Sequence, residues 1–189
     1  TENPNASKPR YIWIDAAANF PDFANSKENI ARDLALAKDA GFTDIVVDVR
    51  PTTGDVLFKT NHVDQVKFMY AWIGSNYTKV ERTATWDYLQ AFVDEARKQG
   101  LRIHAAINTF VGGNQIDGGT GLLYRDQSKA AWATQMNMQT GITSVMNTSE
   151  SAKFFNPAHP EVQTFLCNLL KDLASYDLDG IFLDRGRFL

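Results

Sequence analysis

Short apolar runs alternate with amphipathic stretches along this chain, always in the same direction. Tyr11-Ile12-Trp13-Ile14 closes on Asp15, and Ile45-Val46-Val47-Asp48-Val49-Arg50 stops at Pro51. Further on come Arg102-Ile103-His104-Ala105-Ala106-Ile107-Asn108 and Gly180-Ile181-Phe182-Leu183-Asp184. Apolar runs this short, bounded by turn residues, predict strands buried in a parallel sheet. Between them the period becomes helical. Ile30, Leu34 and Ala37 share one face of a helix predicted from about Ser26 to Ala40, with Ser26 as N-cap and Gly41 just past its end. Leu89, Phe92, Val93 and Ala96 mark a second from about Trp86 to Gln99, closed by Gly100. Val162, Phe165, Leu166, Leu169, Leu170 and Leu173 mark a third that starts near Pro160, a good first-turn residue.

Each helix reaches its strand through a few residues: Ala40-Gly41-Phe42, Gln99-Gly100-Leu101 and Tyr176-Asp177-Leu178. A repeated unit of this kind predicts parallel strands joined by right-handed crossovers. The links in the other direction are long, from Pro51 to Thr85 and from Thr109 to Ala158. Elaboration therefore falls at the carboxyl ends of the strands, where α/β barrels and open doubly wound sheets build their sites. The residues standing there are Asp15, Arg50, Asn108 and Asp184. Residues 1–10 are polar, with Pro4 and Pro9, and are expected to be a leader or linker before a folded part at 11–189.

Asp184 ends an apolar strand and is followed by Arg185-Gly186-Arg187. A carboxylate there is costly unless it is exposed in a cleft, paired or working. Nearby arginines favour its ionised form, which suits a nucleophile or charge stabiliser; an Asp–Arg pair tying strand to loop is the competing reading. Arg50 shares its parity with Asp48 and is either a clamp on substrate or half of an ion pair filling the mouth. Asp15 divides the same way. His104 and Asn108 point to one side, Asn108 nearer the strand end and able to bond a ligand, His104 deeper as a satisfied core histidine. The long loops are aromatic, with Phe58, Phe68, Tyr70 and Trp72 in one and Phe110, Tyr124, Trp132, Phe154 and Phe155 in the other. Such rings pack on sugars or anchor the loops to the body.

Composition narrows the chemistry. The chain has 189 residues, 44% hydrophobic and 22% charged, with a net charge of −3. That is an ordinary packed globule with no basic face for nucleic acid or an anionic membrane. One cysteine, Cys167, precludes a disulfide within the chain. His62, His104 and His159 are scattered without metal-ligand spacing, so no metal is expected. No Gly-x-Ser-x-Gly elbow or Walker sequence occurs, and no cofactor is expected. The glycines from Gly112 to Gly121 are expected to form a flexible loop. No apolar run approaches the roughly 20 residues of a membrane span, and no signal peptide is evident.

Five segments together resemble the glycosyl-hydrolase-like family 10 proteins. They are Gly41-Phe42-Thr43-Asp44-Ile45-Val46-Val47-Asp48-Val49-Arg50-Pro51, Trp86-Asp87-Tyr88-Leu89, Gly100-Leu101-Arg102-Ile103-His104-Ala105 with Asn108, Asn156-Pro157-Ala158-His159-Pro160-Glu161-Val162, and Tyr176-Asp177-Leu178-Asp179-Gly180-Ile181-Phe182-Leu183-Asp184. The resemblance implies an (α/β)8 barrel, of which this chain supplies the N-terminal half: about four parallel strands, three helices and long βα loops. It also implies a secreted, periplasmic or outer-membrane-associated bacterial protein that hydrolyses a glycan. Asp184 then ends strand 4, where related retaining glycosidases often carry the nucleophile, with Arg50, Asn108, Asp15, Arg187 and Trp72 positioning the carbohydrate. The general acid is expected on a later strand; Glu81, Asp117 and Asp126 lie in loops with nothing in their context to mark them. Two departures stand out. Arg185-Gly186-Arg187-Phe188 replaces an aromatic-rich Asp-Tyr-type segment common in the family, and four strands face the eight of a closed barrel. A non-catalytic carbohydrate-binding barrel is the alternative, and a metal-dependent deacetylase is disfavoured by the scattered histidines. Four strands leave two sheet edges and an apolar face to be covered by a missing C-terminal half or a partner chain.

Overall fold

In the computed structural model, which describes residues 8–185, the chain runs β1 (Tyr11–Ile14), α1 (Phe20–Phe23), α2 (Lys27–Asp39), β2 (Asp44–Arg50), β3 (Phe68–Ile73), β4 (Asn76–Glu81), α3 (Tyr88–Gln99), β5 (Arg102–Asn108), β6 (Val111–Asn114), α4 (Leu122–Arg125), β7 (Gln135–Met138), β8 (Gly141–Ser144), β9 (Ala152–Phe154), α5 (Pro160–Ala174) and β10 (Gly180–Asp184). The four apolar runs form one parallel sheet in the order β1-β2-β5-β10, with Tyr11 beside Asp44 and Ile14 beside Val47. Sheet order follows chain order throughout. That is the winding of a (β/α) barrel, since an open doubly wound sheet reverses at its switch point. The fold is a partial TIM-type barrel.

Local signals account for the helices. Ser26 Oγ accepts the Asn29 N–H at 3.1 Å to start α2, which buries Ile30, Leu34 and Ala37. The second long helix starts later than Trp86 because Asp87 is its N-cap, accepting the Gln90 N–H at 3.1 Å. Gly100, at φ +68°, ends it in the left-handed region. Pro160 opens α5, which buries Val162, Phe165, Leu166, Leu169 and Leu173.

Two compact units share the chain. Among the described residues, the first comprises 8–48 with Lys67–Ala106 and Tyr176–Phe182; the second comprises Val49–Val66, Ile107–Ser175 and 183–185. In the first, α2 packs on α3, and Phe23 meets Phe92 edge-on with centroids 5.4 Å apart. Arg10 is tied in by its N–H, which donates to Thr43 Oγ1 at 2.8 Å; of the polar leader, residues 1–7 lie outside the described residues. The same unit holds a charged cluster at the strand starts. Asp44 is buried, accepts from Arg102 Nη2 at 3.0 Å, and lies 2.6 Å from His104 Nε2. Burial alone would raise the Asp44 carboxyl, but hydrogen bonds from Arg102, Thr43 and His104 outweigh it and hold it below the usual aspartate value. His104 is the satisfied core histidine that its depth in the strand predicts. An apolar groove of about 410 Å³, lined by Ile12, Ile14, Leu34, Ala37 and Ile45 among others, runs beside the edge strand β1.

In the second unit the long excursion after β5 is built, not loose. Antiparallel β6 and β9 pair, β7 and β8 form a hairpin, and buried Lys153 Nζ donates to the Val145 and Thr148 carbonyls at 3.1 Å each. The glycine-rich segment is close-packed at Gly112, Gly113, Gly119 and Gly121, contrary to the expected flexible loop. A Cβ on Gly112 would sit 2.6 Å from Leu123 and from Phe155. One on Gly121, at φ +82°, would meet Gly113 Cα at 2.6 Å and the Thr53 carbonyl at 2.8 Å. These glycines allow backbone to approach backbone.

Candidate functional site

At its carboxyl end β2 finishes in Arg50, whose side chain is fully buried in the second unit. Its guanidinium donates through Nη1 to the Asn108 carbonyl at 2.6 Å and the Thr109 carbonyl at 3.1 Å, and through Nη2 to the Val111 carbonyl. Its Cζ lies 6.0 Å from the centroid of the Phe155 ring. Asn108, at the end of β5, returns a bond, its Nδ2 donating to the Arg50 carbonyl at 2.8 Å. Arg50 is therefore a strap on the chain leaving β5. Its planar fork satisfies carbonyls that the sheet ladder no longer serves.

The strap continues to Asp184. Thr109 donates to the Asp184 carbonyl twice, through its N–H and its Oγ1, each at 2.9 Å. The Asp184 carboxylate stands exposed at the end of β10, with Oδ1 accepting the Arg185 N–H at 2.8 Å. Arg185 takes φ +47°, which an L-residue seldom adopts outside turns and sites. Main-chain bonds thus hold Asp184 in place while its carboxylate faces outward.

Three of the six predicted site residues, Arg50, Asn108 and Asp184, come together here. Asp15 belongs to the first unit, where its Oδ1 accepts the N–H groups of Ala17 and Ala18 at 2.7 Å each and shapes the turn into α1. Trp72 is on the β3–β4 hairpin of that unit. Arg187 lies outside the described residues. Of the loop acids, Asp126 caps a turn by accepting from Ser128, and those bonds lower its carboxyl.

Three residues escape sequence reasoning. Thr109 follows a strand end and has no motif around it. Asp55, in the loop after β2, is buried; burial lifts its carboxyl above the ordinary value, and the Arg125 guanidinium that donates to Oδ2 offsets this only in part. Arg125 also pairs with Asp64 at 3.1 Å, while Asp55 Oδ1 is buried without a hydrogen-bond partner among the described residues. In the first unit, Tyr88 has a buried hydroxyl that is likewise unpartnered among the described residues. Burial first, then the negative fields of Asp48 and Asp15, keep it protonated. Among the described residues no group of three or more His, Cys, Asp or Glu side chains is arranged to hold a metal.

Four parallel strands wound in one direction define part of a TIM-type barrel. The chain belongs to the glycosyl hydrolase-like 10 family, whose pattern matches residues 8–187. An S-layer-related protein of Niallia circulans is 30% identical over 190 residues, spanning 97% of this chain and 11% of its own length. The chain thus spans about a tenth of that relative. Among solved structures, a hypothetical protein of Ruminiclostridium thermocellum matches with a TM-score of 0.58 at 14% identity, over 95% of this chain and 77% of that one. Alpha-L-fucosidase isoenzyme 2 of Paenibacillus thiaminolyticus gives 0.58 at 17%, over 94% and 23% of the two chains. The alpha-galactosidase TtGalA of Thermus thermophilus gives 0.54 at 12%, over 93% and 30%. At these identities the structures establish the fold.

Proposed function

We propose that the chain is the N-terminal half of a glycoside hydrolase barrel that cleaves glycosidic bonds in a polysaccharide or envelope glycan. Asp184 is its nucleophile, or the carboxylate that stabilises the oxocarbenium-like transition state. The observation that carries this reading is the exposed Asp184 carboxylate on a main chain pinned by Thr109. A carboxylate whose backbone is already immobilised meets developing positive charge without reorganising. Arg50 and Asn108 serve by fixing the strand ends; Arg187 is proposed to bind substrate hydroxyls, and the proton donor to come from a later strand. The exposed apolar side chains of the edge strands, Trp13 and Leu183 among them, support cover by further polypeptide. Secretion or envelope association belongs to the same proposal, and fractionation of host cells tests it.

In the full-length protein, Asp184→Asn is expected to lower glycan hydrolysis on the order of 10³-fold, about 4 kcal/mol of barrier. Unchanged turnover in a reducing-sugar assay would sink the assignment. The exposed aromatic hairpin favours a second reading, a carbohydrate-binding barrel without catalysis. It predicts a calorimetric binding signal with no release of reducing ends.

A further inference from the structure

Residues 68–81 alternate in a way that the barrel does not require. On β3, Phe68, Tyr70 and Trp72 share one parity, and Met69 and Ala71 the other. Met69 and Ala71 are only 6% and 3% exposed, so that side is the seated one up to Ile73, which is 48% exposed at the strand end. Pairing sets Phe68 opposite Glu81, Tyr70 opposite Lys79 and Trp72 opposite Tyr77. These six side chains therefore occupy the outer face. Gly74, at φ +62°, turns the two-residue loop that fixes this register.

The rings on that face touch in sequence. Trp72 and Tyr77 have centroids 5.2 Å apart at 43°, and Tyr77 and Tyr70 stack at 5.3 Å and 27°. Tyr70 meets Phe68 edge-on at 6.0 Å, and Lys79 Nζ lies 4.4 Å from the Phe68 centroid. Trp72 remains 69% exposed and Tyr77 57%. Packing explains the seated parity; it leaves unexplained why the opposite parity is aromatic and open to water.

The chemistry of the face selects an occupant. One cation and one anion flank the rings, so the face has no net charge to attract a polyanion such as nucleic acid. An apolar helix would have to bury both charges. A pyranose ring has what the face asks for: a flat C–H surface for the rings and equatorial hydroxyls for an ammonium and a carboxylate. We propose that the β3–β4 hairpin is a binding platform for an uncharged glycan chain, whose sugar rings stack on Trp72 and Tyr77 while their hydroxyls bond Lys79 and Glu81. The choice of ligand class rests on the carbohydrate reading above; the platform itself needs neither Asp184 nor hydrolysis.

The test is calorimetric titration of the full-length protein with hexamers of β-1,4-glucose, α-1,4-glucose and β-1,4-N-acetylglucosamine. At least one is expected to bind in about the millimolar range or tighter. Trp72→Ala and Tyr77→Ala are each expected to weaken it about tenfold or more, and Trp72→Phe by about threefold at most, with thermal midpoints unchanged. Failure of the wild type to bind any hexamer overturns the proposal, as does affinity in Trp72→Ala within about twofold of wild type. Trp72-dependent self-association in sedimentation also overturns it. Trp72-dependent binding without hydrolysis leaves the platform standing while the glycosidase reading falls. Asp184-dependent hydrolysis with binding indifferent to Trp72 does the reverse.

Discussion

Arg50 and Asn108 each hold the main-chain carbonyl of the other, by bonds of 2.6 and 2.8 Å between side chain and backbone. The two residues are 58 positions apart and end different strands. This reciprocity, extended by Thr109 to Asp184, makes the carboxyl ends of β2, β5 and β10 one hydrogen-bonded row.

Arg50→Lys should show what the strap contributes. An ammonium cannot span three carbonyls with a planar fork, so buried acceptors are left unsatisfied. The expected loss is about 2–4 kcal/mol in urea unfolding. A loss below about 0.5 kcal/mol would mean that water replaces the guanidinium without cost.

Asp184 separates backbone from side-chain roles. Its carbonyl carries the strap and its carboxylate, among the described residues, accepts the local Arg185 N–H, so Asp184→Asn should leave the thermal midpoint within about 2 °C of wild type. Thr109→Val removes the Oγ1 bond and should cost about 1 kcal/mol. Paired thermal and urea unfolding distinguishes these; a large shift in Asp184→Asn would make the carboxylate structural.

Asp44 predicts a pH dependence of definite sign. Its folded-state carboxyl lies below its unfolded value because the bonds from Arg102, Thr43 and His104 outweigh burial. The stability that it contributes is present in full above the unfolded value, near 4, and is lost as pH falls through the folded one. Asp44→Asn should therefore cost about 1–3 kcal/mol at pH 7, a deficit that shrinks below about pH 4. Urea midpoints from neutral to acid pH measure this, and a deficit that stays constant refutes it.

Two glycines separate steric from conformational cost. Gly118 and Gly121 have nearly equal φ, +83° and +82°, but a Cβ on Gly118 meets nothing within 4 Å while one on Gly121 meets three backbone atoms. Gly118→Ala should cost about 1 kcal/mol and Gly121→Ala about 3 kcal/mol or more. Equal losses in the two variants would show that the segment relaxes freely.

Local signals carried most of the scaffold. Ser26, Gly100 and Pro160 act within four residues of the helix ends that they define, and the apolar runs lie within one residue of the observed strands. The β3–β4 hairpin had its signal too, alternating aromatics around Gly74-Ser75, but inside a long link those rings read equally as loop anchors. The site divides more sharply. Asp184, Arg50 and Asn108 are visible as polar residues closing apolar strands, because a strand's end is a local property. Whether Arg50 faces a ligand or three carbonyls depends on where the chain after β5 passes, some 60 residues away.

The sequence by itself therefore determined the four strands of the parallel sheet, the three long helices, their parallel winding and which residues stand at the strand ends. Tertiary structure alone decided that Arg50 bonds three backbone carbonyls, that Asp44 is shared by Arg102 and His104, and that Gly112 and Gly121 are closely packed. The reason is physical: periodicity and capping are written in neighbours three or four positions apart. The partner of a buried polar group is instead chosen by whatever the fold brings within 3 Å of it.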